Sequence, residues 1–314
     1  MLFGAAPAPL RAQAHEHVAA QPATIPRASV NTAQSAPPLY TNLGTHSRSL
    51  RHVSSTAQLW FDQGMRLTWA FGHAEAVRSF RMGIAADSTC AMCWWGVAWA
   101  RGPYLNDPES DSTRLAEAYT AIQHAKALAE STRPVDRALI DAMAVRYEAV
   151  PFAARRRALD SAYANAMTAI AAHHPADDDV QALLGEARLL VLGWDQRYTS
   201  DRRPTPQAGY TLLPFETVLA RNVAHPGACH LYIHATEAGP TPEKAERCAD
   251  LLGDNMPGAS HMLHMPSHVY HRVGRWGDAV RANQRAVMAD QHGQAGGYRA
   301  CIPCTIWGCS LVVR

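Results

Sequence analysis

The chain has 314 residues, of which 47% are hydrophobic and 18% charged, and its formal net charge is +2. That length supports a large core or several stacked units, while the small charge, with no Lys/Arg stripe interleaved with aromatics, argues against nucleic acid as a partner. No apolar run is long enough to span a bilayer.

Residues 1–14 read as the remnant of a secretory signal: a short apolar stretch ends in Ala12-Gln13-Ala14, a small-x-small cleavage pattern. The basic start of such a signal is missing, so either Met1 lies inside a longer leader or the likeness to a signal is accidental; export is the favoured reading, and the expected location is periplasmic or secreted. Cleavage there would expose His15-Glu16-His17, an amine-and-imidazole group that can hold copper or nickel; a disordered polar start is the plainer reading. Residues 15–45, rich in Ala, Pro, Ser and Thr, read as a flexible arm.

From residue 46 to 293 the pattern is helical, and no alternating strand is found. Loops are marked by GPYLNDPESDS (102–112) and WDQRYTSDRRPTPQAG (194–209). Trp60, Gly64, Leu67, Ala76 and Phe80 follow the large-small-large-small-large order of the tetratricopeptide (TPR) repeat, in which small residues let two helices approach and large ones fill the gap. The same grammar returns at HHPADDDVQALLGEA, at Pro226, at Pro257 and in WGDAVRANQRAVMAD, where Ala279 and Ala286 hold small positions. The predicted fold is therefore all-α, a TPR-like superhelix of helical hairpins, or α-solenoid.

Cys90-x-x-Cys93 opens one of these helices and reads equally as a local disulfide, a ligand pair or two buried small residues. Cys229 and Cys248 stand single. Trp94, Trp95 and Trp99 read as interior or groove lining rather than a cofactor box.

HPGACHL (225–231) and MPGASHM (256–262) share Pro-Gly-Ala-x-His, 31 residues apart. Counting from Cys229 and Ser260 as first helical positions, His230 and His261 fall at two, His264 at five, His234 at six, Glu237 and His268 at nine, and His271 at twelve. Such positions line the concave groove of a TPR stack, so two adjacent helices turn their imidazoles to one hollow. Crowded protonated imidazoles repel, and a divalent metal removes the conflict by using neutral nitrogen lone pairs. The expected metal ligands are His230, His234, Glu237, His261, His264 and His268, holding Zn, Cu or Fe. An open coordination position beside water would permit Lewis-acid hydrolysis or oxygen chemistry.

A solitary HxxxH is more often a solvated or hydrogen-bonded pair; two on neighbouring helices shift the balance. His225, His271 and His292 read as supporting or surface groups, His173-His174 as helix-end residues, and His46, His52, His73 and His124 lack partners at useful spacing. No nucleotide-binding, nucleophile-elbow or HExxH motif occurs.

Over residues 38–290 the blocks LYTNLGTHSRSL, WFDQGMRLTWAFGHAEAVRSF, HPGACHLYIHATEAGPTPEKA and MPGASHMLHMPSHVYHRVGRWGDAV resemble, in order, a family of bacterial, often exported, TPR-containing proteins. The resemblance implies histidines at 225, 230, 234, 261, 264 and 268 and a glutamate at 237, but names no reaction; at His271 the family more often has an apolar residue. Family members continue past this point with a Tyr/His-rich block, whereas this chain closes with CIPCTIWGCSLVVR, which has neither repeat grammar nor a cap. Read in another frame, Cys-Ile-Pro-Cys-Thr permits Met-His-x-Leu-His. Residues 294–314 are therefore expected to be a frameshifted or truncated end, and Cys301, Cys304 and Cys309 not a metal site.

The expected function is that of an exported TPR protein with a groove metal site, acting as a metal-dependent hydrolase or oxidase. The alternatives are a scaffold that binds a protein or peptide partner in its concave groove, and metal storage or delivery.

Overall fold

In a computed structural model, residues 37–151, 153–193 and 197–296 are described. The signal remnant at 1–14, residues 15–36 of the arm, His15-Glu16-His17 and the tail from 297 onward, with its three cysteines, lie outside the described residues. The helices are α1 (Ser55–Trp69), α2 (His73–Ala86), α3 (Ala91–Arg101), α4 (Ser112–Ala127), α5 (Pro134–Ala144), α6 (Arg156–His173) and α7 (Asp178–Leu192). They continue as α8 (Pro206–Leu219), α9 (Pro226–Thr236), α10 (Glu246–Asn255), α11 (Ser260–His264), α12 (Pro266–Arg272) and α13 (Trp276–Gly296). Among the described residues there is no strand, only two isolated bridges, Tyr104 with Asp107 and Tyr198 with Pro204. The fold is all-α, a solenoid of helical hairpins.

Most helices pack on the next along the chain, most extensively α1 on α2, α3 on α4 and α6 on α7. Small residues set these approaches. A Cβ on Gly64 would meet the Phe80 ring at 2.5 Å, and one on Gly96 would meet the same ring at 2.4 Å, so Phe80 is clasped between two glycines. Gly185 and Phe215 repeat the device at 2.4 Å. Starts are capped by side chains: Ser54, Asp111, Asp177 and Thr205 each accept a backbone N–H from the first turn.

The arm ends earlier than its composition suggests. The segment 37–45 is anchored to the helices at buried Pro37 and at Leu43, the latter 1% exposed, while most residues between them remain exposed. The Tyr40 N–H donates to Gln63 Oε1 at 2.7 Å and the Gly258 N–H to the Asn42 carbonyl at 2.7 Å. Just beyond, buried Arg48 reaches Asp136 at 2.9 Å, Asp177 at 2.9 Å and Asp179 at 3.3 Å, tying this segment to α5 and α7. Apolar anchoring and a buried cation outweigh the polar, Pro-rich composition.

The cysteines resolve two questions. Cys90 and Cys93 are disulfide-bonded at 2.08 Å, which selects the first of the three readings. Cys229 and Cys248, which stand single in the sequence pattern, are bonded at 2.12 Å and link α9 to α10. Trp95 and Trp99 are interior, 1% and 2% exposed, their indole N–H groups donating to the Leu139 carbonyl and to Glu186. No described helix is long and apolar enough to cross a membrane.

One contact joins helices far apart along the chain. The C-terminal end of α1 lies against α9. A Cβ on Gly227 would strike the Trp69 indole at 2.3 Å.

Candidate metal centre

α9 carries His230 and His234, with Glu237 at its C-cap; α11 carries His261 and His264, and α12 carries His268. The two echoed motifs start their helices differently. In the first, the His225 side chain accepts the Ala228 N–H at 3.1 Å and Pro226 takes the first helical position, so α9 begins three residues before Cys229. In the second, Met256 has no side-chain acceptor, the Gly258 N–H turns to Asn42, and the helix begins at Ser260. Pro266 then divides this helix in two, because it has no N–H to give to the preceding turn. Tyr198 Oη, donating to the Ala235 carbonyl at 2.7 Å, and Arg197, donating to the His234 carbonyl, satisfy carbonyls at the C-terminal end of α9.

The structure brings all six expected residues together. One nitrogen each from His230, His234 and His261 lies within 4.8 Å of the other two. His230 and His261 face each other with Nε2 atoms 2.9 Å apart, and His264 and His268 do the same at 2.9 Å. The ring centroids of His234 and His268 are 6.0 Å apart, so the two groups are neighbours.

Oxygen acceptors fix most of the tautomers. Nδ1 of His230 donates to the Trp69 carbonyl at 2.6 Å, and Nδ1 of His234 donates to Glu237 Oε1 at 3.1 Å. Nδ1 of His264 donates to Asn283 Oδ1 at 2.6 Å. The Asn283 amide is itself oriented, since its Nδ2 donates to the Ala279 carbonyl at 3.1 Å. His268 Nδ1 donates to the other Glu237 oxygen. Each of these four rings therefore carries its hydrogen on Nδ1 and a lone pair on Nε2, the arrangement of imidazoles oriented by outer groups for a metal. Both Glu237 oxygens are engaged by imidazole N–H groups, so the carboxylate orients His234 and His268.

Burial keeps these rings neutral. His230, His234, His261 and His264 are at most 4% exposed. Desolvation, then the neighbouring His234, holds His230 well below the ordinary histidine range; desolvation, then His230, does the same for His261. Desolvation also lowers His234, against the opposing pull of Glu237. His264 is brought down to about 4 by burial and by His268. Burial alone would raise Glu237, but hydrogen bonds from His234 and His268 win and hold it below the usual carboxylate range. His261 Nδ1 is buried with no hydrogen-bond partner among the described residues.

The pattern did not foresee what covers the cluster. Phe71, in the turn between α1 and α2, places its ring 4.4 Å from His230, 5.1 Å from His261 and 5.8 Å from His234. Its φ is +58°, and the Gly72 N–H bonds the Leu67 carbonyl at 2.8 Å, a helix-ending turn that usually puts glycine at this position. A bulky side chain there costs roughly 1–2 kcal/mol of backbone strain. Phe71 also lines a cleft of about 250 Å³ with His73, Tyr104 and Arg114. The imidazoles thus lie beneath an aromatic cover rather than along an open groove.

A second group unites His46, Asp179 and His225 within 4.8 Å, and spacing alone gave no hint of it because its members are far apart in sequence. His46 Nε2 lies 2.9 Å and His225 Nε2 3.3 Å from Asp179 Oδ1. Here the tautomer opposes a metal. His225 Nδ1 accepts the Ala228 N–H, so its hydrogen sits on Nε2 and is donated to Asp179. His225 is thus a helix cap and a carboxylate partner. His271 is half-buried with its ring 4.8 Å from Trp276, and is not part of the cluster. His73 and His124 have found ring partners in Tyr104 and Trp94.

Fold and site together define an all-α helical-hairpin protein with a buried cluster of oriented imidazoles. No protein-family model matches the chain, and a search of curated proteins gives no match. Among solved structures, the crystal structure of MamA protein is similar over 79% of this chain and 98% of that one, at 12% identity and a TM-score of 0.36, a likeness too distant to bear on fold or function.

Proposed function

We propose that this protein is a metalloprotein whose cluster holds a divalent transition ion, Zn, Cu or Fe, on His230, His234 and His261. The observation that carries the reading is the fixed tautomers: oxygen acceptors hold the hydrogens of His230 and His234 on Nδ1, so the inward Nε2 atoms have only lone pairs to offer. Three imidazoles leave a coordination position for water or substrate, and bound there the ion would supply Lewis-acid hydrolysis or oxygen chemistry. The chain's own residues orient the rings through Trp69, Glu237 and Asn283, and Phe71 restricts access of bulk water. Two disulfides support folding in an oxidising compartment, as export to the periplasm or beyond would provide. A scaffold that takes a peptide along these helices would need the same side chains open to a partner, and their burial beneath Phe71 favours the ion.

The test is elemental analysis of the purified full chain beside His230→Gln and His261→Gln, with helicity followed by circular dichroism. Metal is expected in the wild type and largely lost from both variants at unchanged helicity. Equal metal content in all three would remove the proposal.

A further inference from the structure

The pair His264 and His268 is not needed by an ion on His230, His234 and His261, yet it is built with the same care. Asn283 and Glu237 each take one Nδ1 hydrogen, so the two Nε2 lone pairs point at one another across 2.9 Å. Two opposed lone pairs at that distance repel unless a cation lies between or beside them. The 2.9 Å separation is nearer to the edge of a tetrahedron, where two nitrogens about 2.0–2.1 Å from a zinc-sized ion sit roughly 3.3 Å apart, than to a linear arrangement, which would need about 4 Å, and small ring movements would open it to the tetrahedral value. His268, with its side chain 22% exposed, is less enclosed than His230, His234, His261 and His264, which are at most 4% exposed. Glu237, which holds one ring of each set, links the two groups.

We infer that His264 and His268 form a second metal position beside the first, so that the cluster takes two divalent transition ions rather than one. The inference rests on the metal reading above and goes beyond it in nuclearity. A dinuclear centre can bind an oxygen ligand between its ions, which fits a substrate presenting an oxyanion, such as a phosphate or carboxylate ester.

The experiment strips the full chain with chelator and titrates it with Zn²⁺ alone, reading stoichiometry by calorimetry and elemental analysis. Wild type is expected to bind two ions per chain, and His264→Gln and His268→Gln one each. Reloading the wild type with Cu²⁺ should give a spin-coupled electron paramagnetic resonance spectrum, a readout that does not depend on any variant folding. One ion in the wild type, removed by His261→Gln but kept by His268→Gln, with an uncoupled copper spectrum, overturns the second position while sustaining the first: the pair then shares only a proton. Two ions in His268→Gln would also overturn it. No bound ion at all removes both readings.

Discussion

At the residue scale, the same amino acid has opposite value in different places. Gly64 touches the Phe80 ring, and an added methyl there would overpack the interior. Gly64→Ala is expected to destabilise by about 1–3 kcal/mol. Gly209, exposed on α8 with nothing near its absent Cβ, should instead gain roughly 0.5–1 kcal/mol on change to alanine. Chemical denaturation of the two variants checks the pair, and equal shifts would contradict this packing. Glu186 is a second case. Desolvation raises it to about 7, partly offset by Arg146 and by the hydrogen bond from Trp99. Its folded value lies above the unfolded one, so its contribution is fully present below about pH 4.5 and is lost as pH rises toward 7. Glu186→Gln should therefore stabilise the protein by about 1–3 kcal/mol at pH 8 and by little at pH 4.5. Melting curves at the two pH values decide it.

At the element scale, α9 is the most constrained helix: His225 caps its start, Tyr198 and Arg197 hold its end, and Cys229–Cys248 ties it to α10. Replacing both cysteines by alanine should cost about 3 kcal/mol, the value for closing a loop of this order. Dithiothreitol should lower the wild-type melting temperature toward that of the variant, and wild-type melting indifferent to reductant would count against the bond's importance. Periodicity revealed the helices because packing is local: Gly64 with Phe80 and Gly185 with Phe215 lie within one repeat's reach. The imidazole spacing was legible for the same reason, since i and i+4 share a helix face whatever the helix start. What could not be read are contacts whose partners lack a periodic signature. Cys229 with Cys248, Asn283 on His264 and Asp179 between His46 and His225 are known only once the hairpins are stacked. The start of α9 was misplaced because histidine is seldom weighed as a helix cap, whereas the break at Pro266 was legible, since a proline within a helical pattern lacks the N–H that would bond the preceding turn, and counting His261 to His271 on one helix passed over it.

At the scale of the whole described unit, the turn after α1 closes over a site made by helices far along the chain. Phe71→Gly separates two effects. It relieves the left-handed strain, worth roughly 1–2 kcal/mol, while removing the ring that lies on three imidazoles. We expect little net change in melting temperature but markedly faster loss of metal to a chelator, about tenfold or more. That ratio corresponds to only ~1.4 kcal/mol of barrier, less than an aromatic contact area of this kind contributes. Stopped-flow release with a chromophoric chelator measures it, and identical rates would mean that Phe71 does not guard the ions.

The hydrogen bond from His230 to the Trp69 carbonyl spans 161 residues of chain. Such a contact forms late, because the entropy of bringing distant segments together must be overcome before the bond repays it. A nascent chain can make the first hairpins as they emerge, but it holds no finished nest of imidazoles until almost the entire stack is synthesised and docked. On the metalloprotein reading proposed above, an ion could be captured only after that docking is complete. On that reading, the metal supply of the compartment in which the protein matures, as much as the intrinsic preference of nitrogen donors, would choose the occupant.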